Sequence, residues 1–289
     1  MRIVDGLLLC LSLSLGLSQA QEASLRLFSD RLLAGTAAAW KTQLTPRIVP
    51  TTTNTLTAIQ ALLHDQADAI AIVRPLLPEE VRQYQSIHGH PPISVPIGLD
   101  ALGIFARRDS QLRTLTLSQI PSLFANSDSC GSSFRHRPTP QVAALYGLTS
   151  ANGGHHLFSR LALCGATLNP KVTLLAEDID VIEAVARQPG TIGYASTSLS
   201  PKSGSKLLAI QVRPAGRPIL PTAANLIHGR YPLTHYLHLY FHRDTQGMMD
   251  FVRSVLSANG QSLLGQQGFV PLGSVMVERI LKDLQRETD

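Results

Sequence analysis

Closely spaced histidines are the first residues of this chain whose types could do chemistry. His155 and His156 follow a pair of glycines, and His88 and His90 stand two apart. Neighbouring residues of a helix point about 100° apart, so adjacent histidines do not readily bind one metal ion together. Neither pair has a carboxylate at ligand spacing nearby in the chain. The sequence therefore favours a surface or pocket-rim position for these histidines and predicts no metal site.

Serine, histidine and aspartate are plentiful, but the patterns that make them catalytic do not occur. There is no Gly-x-Ser-x-Gly elbow of the kind that exposes a serine nucleophile. The glycine-rich stretch from Gly260 to Gly268 lacks the Lys-Ser/Thr pair of a nucleotide-binding loop. The sequence predicts no enzyme activity and no cofactor.

The N-terminus has the pattern of a secretory signal. Arg2 gives a positive start, residues 3–17 are mainly apolar, and Ser18-Gln19-Ala20 is a small-x-small cleavage site before Gln21. The apolar stretch is too short and serine-rich to favour a permanent membrane span. We therefore expect residues 1–20 to be removed and the mature chain to be exported.

Cys130 and Cys164 remain after removal of the predicted signal, which contains Cys10. In an oxidising compartment, an even pair of cysteines is a candidate disulfide. The alternative is two buried free thiols, because spacing in the chain does not give the Cα separation that a disulfide needs.

Length and charge narrow the class of protein. A mature chain of about 270 residues favours two structural units over one core. The formal net charge is +5, and the basic residues form no run. A nucleic-acid interface needs a concentrated basic face, so the composition argues against nucleic-acid binding. A mildly basic exported protein suits a small anionic ligand.

Strand-like and helix-like segments alternate along the chain, which predicts an α/β protein with mostly parallel sheets. Residues 68–73 read as a buried strand, and Ser29-Asp30 can cap the helix that follows the first strand. Thr116 and Gln119 have the spacing of a capping box at the start of a helix over Leu115–Phe124. Ile93–Arg108 contains two strand-like runs around Leu99-Asp100.

Sequence blocks from the middle and the end of the chain resemble the phosphate-type periplasmic substrate-binding proteins of ABC importers. No single block is specific, but their order and spacing together match that family. The blocks are Pro91–Arg108, Leu115–Ala125, Asp178–Ser196, Gly229–Leu233, Asn259–Gln261 and Gly268–Leu272.

The resemblance implies a type II periplasmic binding-protein fold. Two α/β lobes, each a mainly parallel sheet flanked by helices, would be joined by two hinge crossovers. Residues 21–97 and 233–289 would form lobe one, and residues 98–232 lobe two. The ligand would lie between the lobes at helix N-termini, whose free N–H groups and positive dipole ends suit oxyanions.

The resemblance also implies a function. The chain would be a periplasmic monomer that captures phosphate or a related small oxyanion and delivers it to an ABC permease, without enzyme activity. The alternative is a periplasmic interaction or sensory protein whose anion site has decayed. A cleft filled by side chains would favour that alternative.

The resemblance places candidate ligand contacts at the ends of strands and the starts of helices. It also shows departures, since Val73 stands where the family has a serine or aspartate and Leu148 where it has an arginine. Residues that could replace the lost arginine are Arg74, Arg107, Arg108, Arg135, Arg137 and His155. The predicted contacts are Ser29, Thr53, Thr55, Arg74, Asn152, Gly153 and Gly154.

Overall fold

The structure is a computed structural model that describes residues 24–45, 47–126, 139–199, 204–213 and 215–288, with side chains up to residue 286. The predicted signal, Cys130, Arg135 and Arg137 lie outside the described residues. Within the described residues, no helix is long and apolar enough to cross a membrane.

Strands and helices alternate as the sequence predicts. The strands are β1 (Leu25–Asp30), β2 (Ile48–Thr53), β3 (Ala69–Ile72), β4 (Ile93–Arg107), β5 (Thr114–Thr116), β6 (Ala144–Leu148), β7 (Val172–Leu175), β8 (Thr191–Ser196), β9 (Ser205–Leu207), β10 (Ala209–Gln211) and β11 (Thr234–Phe241). The helices are α1 (Ala34–Gln43), α2 (Thr55–Leu63), α3 (Pro78–His88), α4 (Gln119–Phe124), α5 (Gly153–Ala162), α6 (Asp178–Arg187), α7 (Ala223–Ile227), α8 (Met248–Leu256), α9 (Ala258–Gln266) and α10 (Ser274–Thr288), and a 3₁₀ turn (Arg31–Leu33) precedes α1.

One curled sheet runs through both lobes in the order β2-β1-β3-β11-β4-β8-β6-β7, with β9 also paired to β4. In lobe one β1 pairs in parallel with β2 and β3, and in lobe two β6 pairs in parallel with β7 and β8. The pairs around β4 and β11 are antiparallel. Each lobe is thus parallel at its outer strands, and the antiparallel strands lie at the junction.

One long strand, β4, crosses between the lobes. The first half of β4 pairs with β11, and its second half pairs with β8 and β9. The sequence suggested two separate strand runs here, but the structure has one 15-residue strand, because both halves find partners in the same curled sheet. A register shift in the β4–β11 pair falls between Leu237 and His238.

Aromatic side chains fill the two halves of the core. In lobe one the fully buried Trp40 packs edge-on against Phe251, with 5.8 Å between the ring centroids. In lobe two Phe158 stacks on Tyr194 at 3.7 Å, and Phe124 packs edge-on against both rings. These contacts join α1 to α8 and hold α4 and α5 onto β8 of the sheet.

Local signals also set where helices begin. Thr116 and Gln119 form the predicted capping box, because each side chain accepts a hydrogen bond from the other residue's backbone N–H. The helix over Leu115–Phe124 is shorter than expected, however. Its first residues form β5, which pairs with β10, and α4 begins only at Gln119.

Candidate functional site

The N-terminal ends of three helical segments meet at the carboxylate of Asp30. One carboxylate oxygen accepts the backbone N–H of Leu32, the second residue of the 3₁₀ turn, at 3.0 Å. The other accepts the hydroxyl of Thr55, the first residue of α2. Thr55 Oγ1 in turn accepts the backbone N–H of Gly153, the first residue of α5 in lobe two, at 3.1 Å. An acidic group of the protein therefore lies where helix N-termini favour an anion.

Two further contacts hold the lobes together around this point. The backbone N–H of Leu56 donates to the carbonyl of Ala151 at 3.3 Å. At the rim, Arg31 of lobe one forms an ion pair of 2.9 Å with Glu177 of lobe two. With the Thr55–Gly153 hydrogen bond, these contacts describe a closed cleft.

The start of α5 is capped by its own side chain. Asn152 Oδ1 accepts the backbone N–H of Gly154 at 2.8 Å, and Asn152 Nδ2 donates to Asp178 at 3.0 Å. The N–H groups of Gly153 and Gly154 are thus both used inside the protein in this closed form.

Apolar side chains fill the space beside these glycines. A Cβ atom on Gly153 would lie 2.6 Å from Val73 Cγ2, and one on Gly154 would lie 2.6 Å from Leu148 Cδ1. Gly153 is needed because lobe one approaches it closely, and Gly154 because β6 of its own lobe does. The cavity left there, lined in part by Val73 and Gly154, is about 10 Å³, which holds at most one water molecule.

Two buried carboxylates, Asp100 and Asp178, line this small cavity, and a third, Asp30, is buried at the same cleft. Burial raises the pKa of Asp30 and of Asp100 to about 6, and it also raises the pKa of Asp178. Asp178 accepts the backbone N–H of Ser196 at 2.7 Å, and Ser196 donates its hydroxyl to Asp100 at 2.5 Å. The local charge at neutral pH is therefore negative, which opposes a second anion in the same place.

Asp100 lies in β4, where this strand pairs with the start of β11. It faces His235 in the strand register, with 3.9 Å between Oδ2 and Nε2. Burial lowers the pKa of His235 to about 4, so this histidine is neutral at physiological pH. The pairing of β4 with β11 thus buries two polar side chains, Asp100 and His235, whose hydrogen-bonding atoms are only partly satisfied among the described residues.

The structure brings together some of the predicted ligand contacts but not all of them. Thr55, Asn152, Gly153 and Gly154 come together as described. Ser29 is buried on the side of β1 that faces the core, where its hydroxyl has no partner among the described residues. Thr53 is half-buried at the end of β2, opposite Asp30 in the strand register.

Arg74 is the charged residue among the predicted contacts. Its guanidinium is 3% exposed and forms a two-point ion pair with Glu80, at 2.7 Å for each hydrogen bond. Another hydrogen bond goes to the carbonyl of Pro75 at 2.9 Å. Arg74 Nε is buried and has no partner among the described residues, so one strong donor is unsatisfied.

A second cavity, here called the interlobe pocket, lies beside Arg74. Its volume is about 200 Å³, and both lobes line it. Arg160 of α5 is exposed and has no ion pair within the described parts of the chain. Burial lowers the pKa of His156, so it lines the pocket as a neutral residue. The lining residues are Arg74, Pro75, Leu77, His156, Leu157, Ser159, Arg160 and Gly165.

The other candidates from the sequence lie outside the cleft. Arg107 pairs with Asp109 at 2.9 Å, and Arg108 is exposed beyond β4. His155 Nδ1 lies 2.8 Å from the carbonyl of Leu148. Cys164 is disulfide-bonded, and its pairing with Cys130 stays a prediction because Cys130 is outside the described residues.

Sequence reasoning missed Asp30, Asp178 and Arg160 as cleft residues. The sequence predicts Asp30 only as part of a helix cap, a role that the hydrogen bond to Leu32 confirms. The position of a carboxylate directly after the first strand was the available signal, because the carboxyl ends of parallel strands meet at one edge. No local pattern marks Arg160, which reaches the pocket only through the placement of α5.

Comparison with known proteins places the chain in a family. The family model described as a PBP superfamily domain matches residues 23–259. The phosphate-binding protein PstS of Pseudomonas aeruginosa is 26% identical over 243 residues, which is 79% of this chain and 75% of that protein. Protein SphX of Synechococcus elongatus is 24% identical over 212 residues, covering 69% of this chain and 61% of that protein.

Solved structures share the fold at lower identity. The ABC-type phosphate transport receptor from Vibrio cholerae is 14% identical with a TM-score of 0.64, over 86% of this chain and 100% of the receptor. The phosphate-binding protein from Stenotrophomonas maltophilia is 12% identical with a TM-score of 0.62, over 90% of this chain and 94% of that protein. These similarities confirm the α/β binding-protein fold that the sequence predicts.

Proposed function

Because the chain belongs to the PBP superfamily, we propose that it is an extracytoplasmic solute-binding protein for phosphate or a related small oxyanion. It takes the anion between its lobes, delivers it to an ABC permease and performs no enzymatic reaction. The relatives named as phosphate-binding proteins support this assignment, as does the signal-like N-terminus. Residues 1–20 are removed on export, and the mature chain works as a monomer.

The observation that carries the proposal is the interlobe pocket. The cavity of about 200 Å³ has room for a small oxyanion, whereas the cavity of about 10 Å³ lined by Asp100 and Asp178 has not. Among the described residues, Arg74 offers a buried N–H without a partner, and Arg160 offers a positive charge without an ion pair from the other lobe. Charge-assisted hydrogen bonds to a guanidinium are the strongest that a protein offers an oxyanion.

The pocket differs from a strong phosphate clamp in two respects. Glu80 already neutralises Arg74, so Arg160 supplies the net charge. Leucine and proline side chains form part of the wall. We therefore expect weaker binding of phosphate itself and tolerance of an apolar substituent, as in methylphosphonate.

Isothermal titration with phosphate, sulfate and methylphosphonate tests the proposal. The protein is recovered from the periplasm after expression of the full chain, and its intact mass should correspond to a mature chain that begins at Gln21.

Arg160→Gln should weaken oxyanion binding by about tenfold or more, because a charged hydrogen bond contributes about 1.5–3 kcal/mol. Arg230→Gln, a change at an exposed arginine outside the pocket lining, should bind as the wild type does.

Absence of binding for all three anions at millimolar concentration would exclude the proposal. Equal binding by wild type and Arg160→Gln would exclude the interlobe pocket as the site.

A second candidate function rests on the packed centre of the cleft. Val73 and Leu148 press on the α5 glycines, and Thr55 joins the lobes directly, which was the pattern expected of a decayed anion site. In this alternative the closed molecule presents its surface to a periplasmic partner, as an interaction or sensory protein. Absence of binding in the anion titrations, together with a ligand-free protein that is compact, would support this candidate.

A further inference from the structure

Three residues from distant parts of the chain meet at the end of lobe one that faces away from the cleft. Asp65 follows the C-terminal end of α2, His88 ends α3, and His242 follows β11. Asp65 Oδ1 lies 3.5 Å from His242 Nε2 and 3.9 Å from His88 Nδ1. The three potential ligand atoms lie within 4.8 Å of one another. We call these residues the Asp65 cluster.

Hydrogen bonds orient His88 so that its free nitrogen faces the carboxylate. His88 Nε2 lies 3.3 Å from the carbonyl oxygen of Leu63, which can only accept a hydrogen bond. The proton of a neutral His88 is therefore on Nε2, and the lone pair of Nδ1 points towards Asp65. A cation placed between these two electron-pair donors would be bound by both.

His242 can bind a metal ion through Nε2 after a change of tautomer. Its Nδ1 lies 2.6 Å from the hydroxyl of Tyr84, and its Nε2 lies 3.1 Å from the carbonyl of Ala67, which accepts the Nε2 proton of the neutral imidazole. Metal binding at Nε2 gives up this hydrogen bond and moves the proton to Nδ1, which then donates it to the Tyr84 oxygen. Metal-binding histidines commonly use their second nitrogen in this way, which fixes both tautomer and ring orientation.

Negative charge beside the two histidines suits a divalent cation, because the Asp65 carboxylate faces both imidazoles. Asp68 adds negative charge near His242, although it is paired with Arg26. Asp65 is exposed, so its carboxylate can move the short distance needed to close on an ion.

We propose that Asp65, His88 and His242 bind one divalent transition-metal ion of the zinc class, with water completing the coordination. Two imidazole nitrogens and one carboxylate oxygen form an established zinc ligand set, with bonds of about 2.0–2.2 Å. Ligand atoms around a tetrahedral ion lie roughly 3.3 Å apart by this bond length, close to the 3.5 Å already present between Asp65 and His242. The position of Asp65 is set by the backbone, which has a φ of 56° there.

The test uses tag-free mature protein with its native disulfide intact, so that thiols and added histidines do not bind zinc. Zn²⁺ affinity is measured by competition with a chromophoric chelator at pH 7.5, and Co²⁺ absorption reports the coordination. Wild type should bind one ion per chain with a dissociation constant of roughly micromolar or below. His88→Gln and His242→Gln should each weaken binding by at least about tenfold.

Two further variants separate the cluster from general effects. Asp65→Asn removes the carboxylate charge but keeps a residue type that tolerates a left-handed backbone, so it should also weaken binding while the fold is kept. His228→Gln removes an exposed histidine outside the cluster and should bind zinc as wild type does.

Circular dichroism and thermal melts confirm that each variant is folded. If the wild type binds no Zn²⁺ below about 100 micromolar, the cluster is only a histidine–carboxylate ion pair and the proposal fails. It fails equally if the His88 and His242 variants bind zinc as tightly as the wild type.

Discussion

Asp30 places a carboxylate at the meeting point of helix N-termini, and this single residue changes the chemistry of the cleft. It accepts hydrogen bonds from Leu32 and Thr55, and Thr55 is linked to Gly153 of the other lobe. The protein thus satisfies with its own side chain the donors that would otherwise attract a solvent anion. A ligand that uses the same donors has to displace a buried carboxylate.

The raised pKa of Asp30 predicts how stability depends on pH. Its pKa rises from 3.8 in the unfolded chain to about 6 in the folded protein, because burial disfavours the charged form. The folded state therefore holds the proton more tightly. The cost of ionising Asp30 is absent below about pH 4, grows as the pH rises to 6, and stays constant above that. By linkage it amounts to about 3 kcal/mol.

Asp30→Asn should remove this pH-dependent cost. Asparagine still accepts the N–H of Leu32, so the cap is kept. In urea unfolding, the free energy of unfolding of the variant should gain about 3 kcal/mol on the wild type between pH 4 and pH 7.5. Asp109→Asn, a change at an exposed carboxylate, should leave the wild-type pH dependence unaltered. Parallel curves for wild type and Asp30→Asn would contradict the assignment.

At the scale of elements, the start of α5 controls how closely the lobes approach. Gly153 takes a place where a Cβ would lie 2.6 Å from Val73 Cγ2 and 2.7 Å from Thr55 Oγ1. Both neighbours belong to lobe one, so a methyl group here pushes directly against the other lobe.

Gly153→Ala should therefore destabilise the closed form. Overpacking of a tight contact costs about 1–3 kcal/mol, which thermal melting should show as a lower Tm. Gly273→Ala is the matched control, since nothing lies within 4 Å of a Cβ at that position. An unchanged Tm for Gly153→Ala would mean that the lobes do not press together as described.

Sequence patterns predicted local elements better than the contacts between them. The alternation of strands and helices, the Thr116–Gln119 capping box and the Asp30 cap are short-range features, and the structure confirms them. The continuity of β4 was missed because only its partners on both sides reveal it.

The candidate sites were harder to predict because they depend on contacts between distant segments. Glu80 neutralises Arg74, and the fold brings Asp65 to His88 and His242. The sequence predicted no metal site because it offered no carboxylate near His88 in the chain. Contacts of this kind are determined by tertiary packing, and the spacing of residues along the chain does not indicate them.

At the scale of the whole molecule, the lobes are connected by β4 and by the chain that enters β11, and contacts across the cleft decide whether they stay together. Asp100 and His235 face each other where these strands pair. Three cross-cleft contacts, Thr55–Gly153, Leu56–Ala151 and Arg31–Glu177, join the lobes directly. Groups of the protein itself therefore bridge the cleft.

Small-angle X-ray scattering should show this closed arrangement directly. A compact chain of about 270 residues has a radius of gyration of roughly 18 Å, and the ligand-free protein should be close to that value. Addition of phosphate should leave the radius unchanged, because the bridging donors are already satisfied by Asp30 and Thr55. Gly153→Ala should instead be measurably larger. A ligand-free protein that contracts on addition of phosphate would show that the anion, and not the Asp30 carboxylate, closes the cleft.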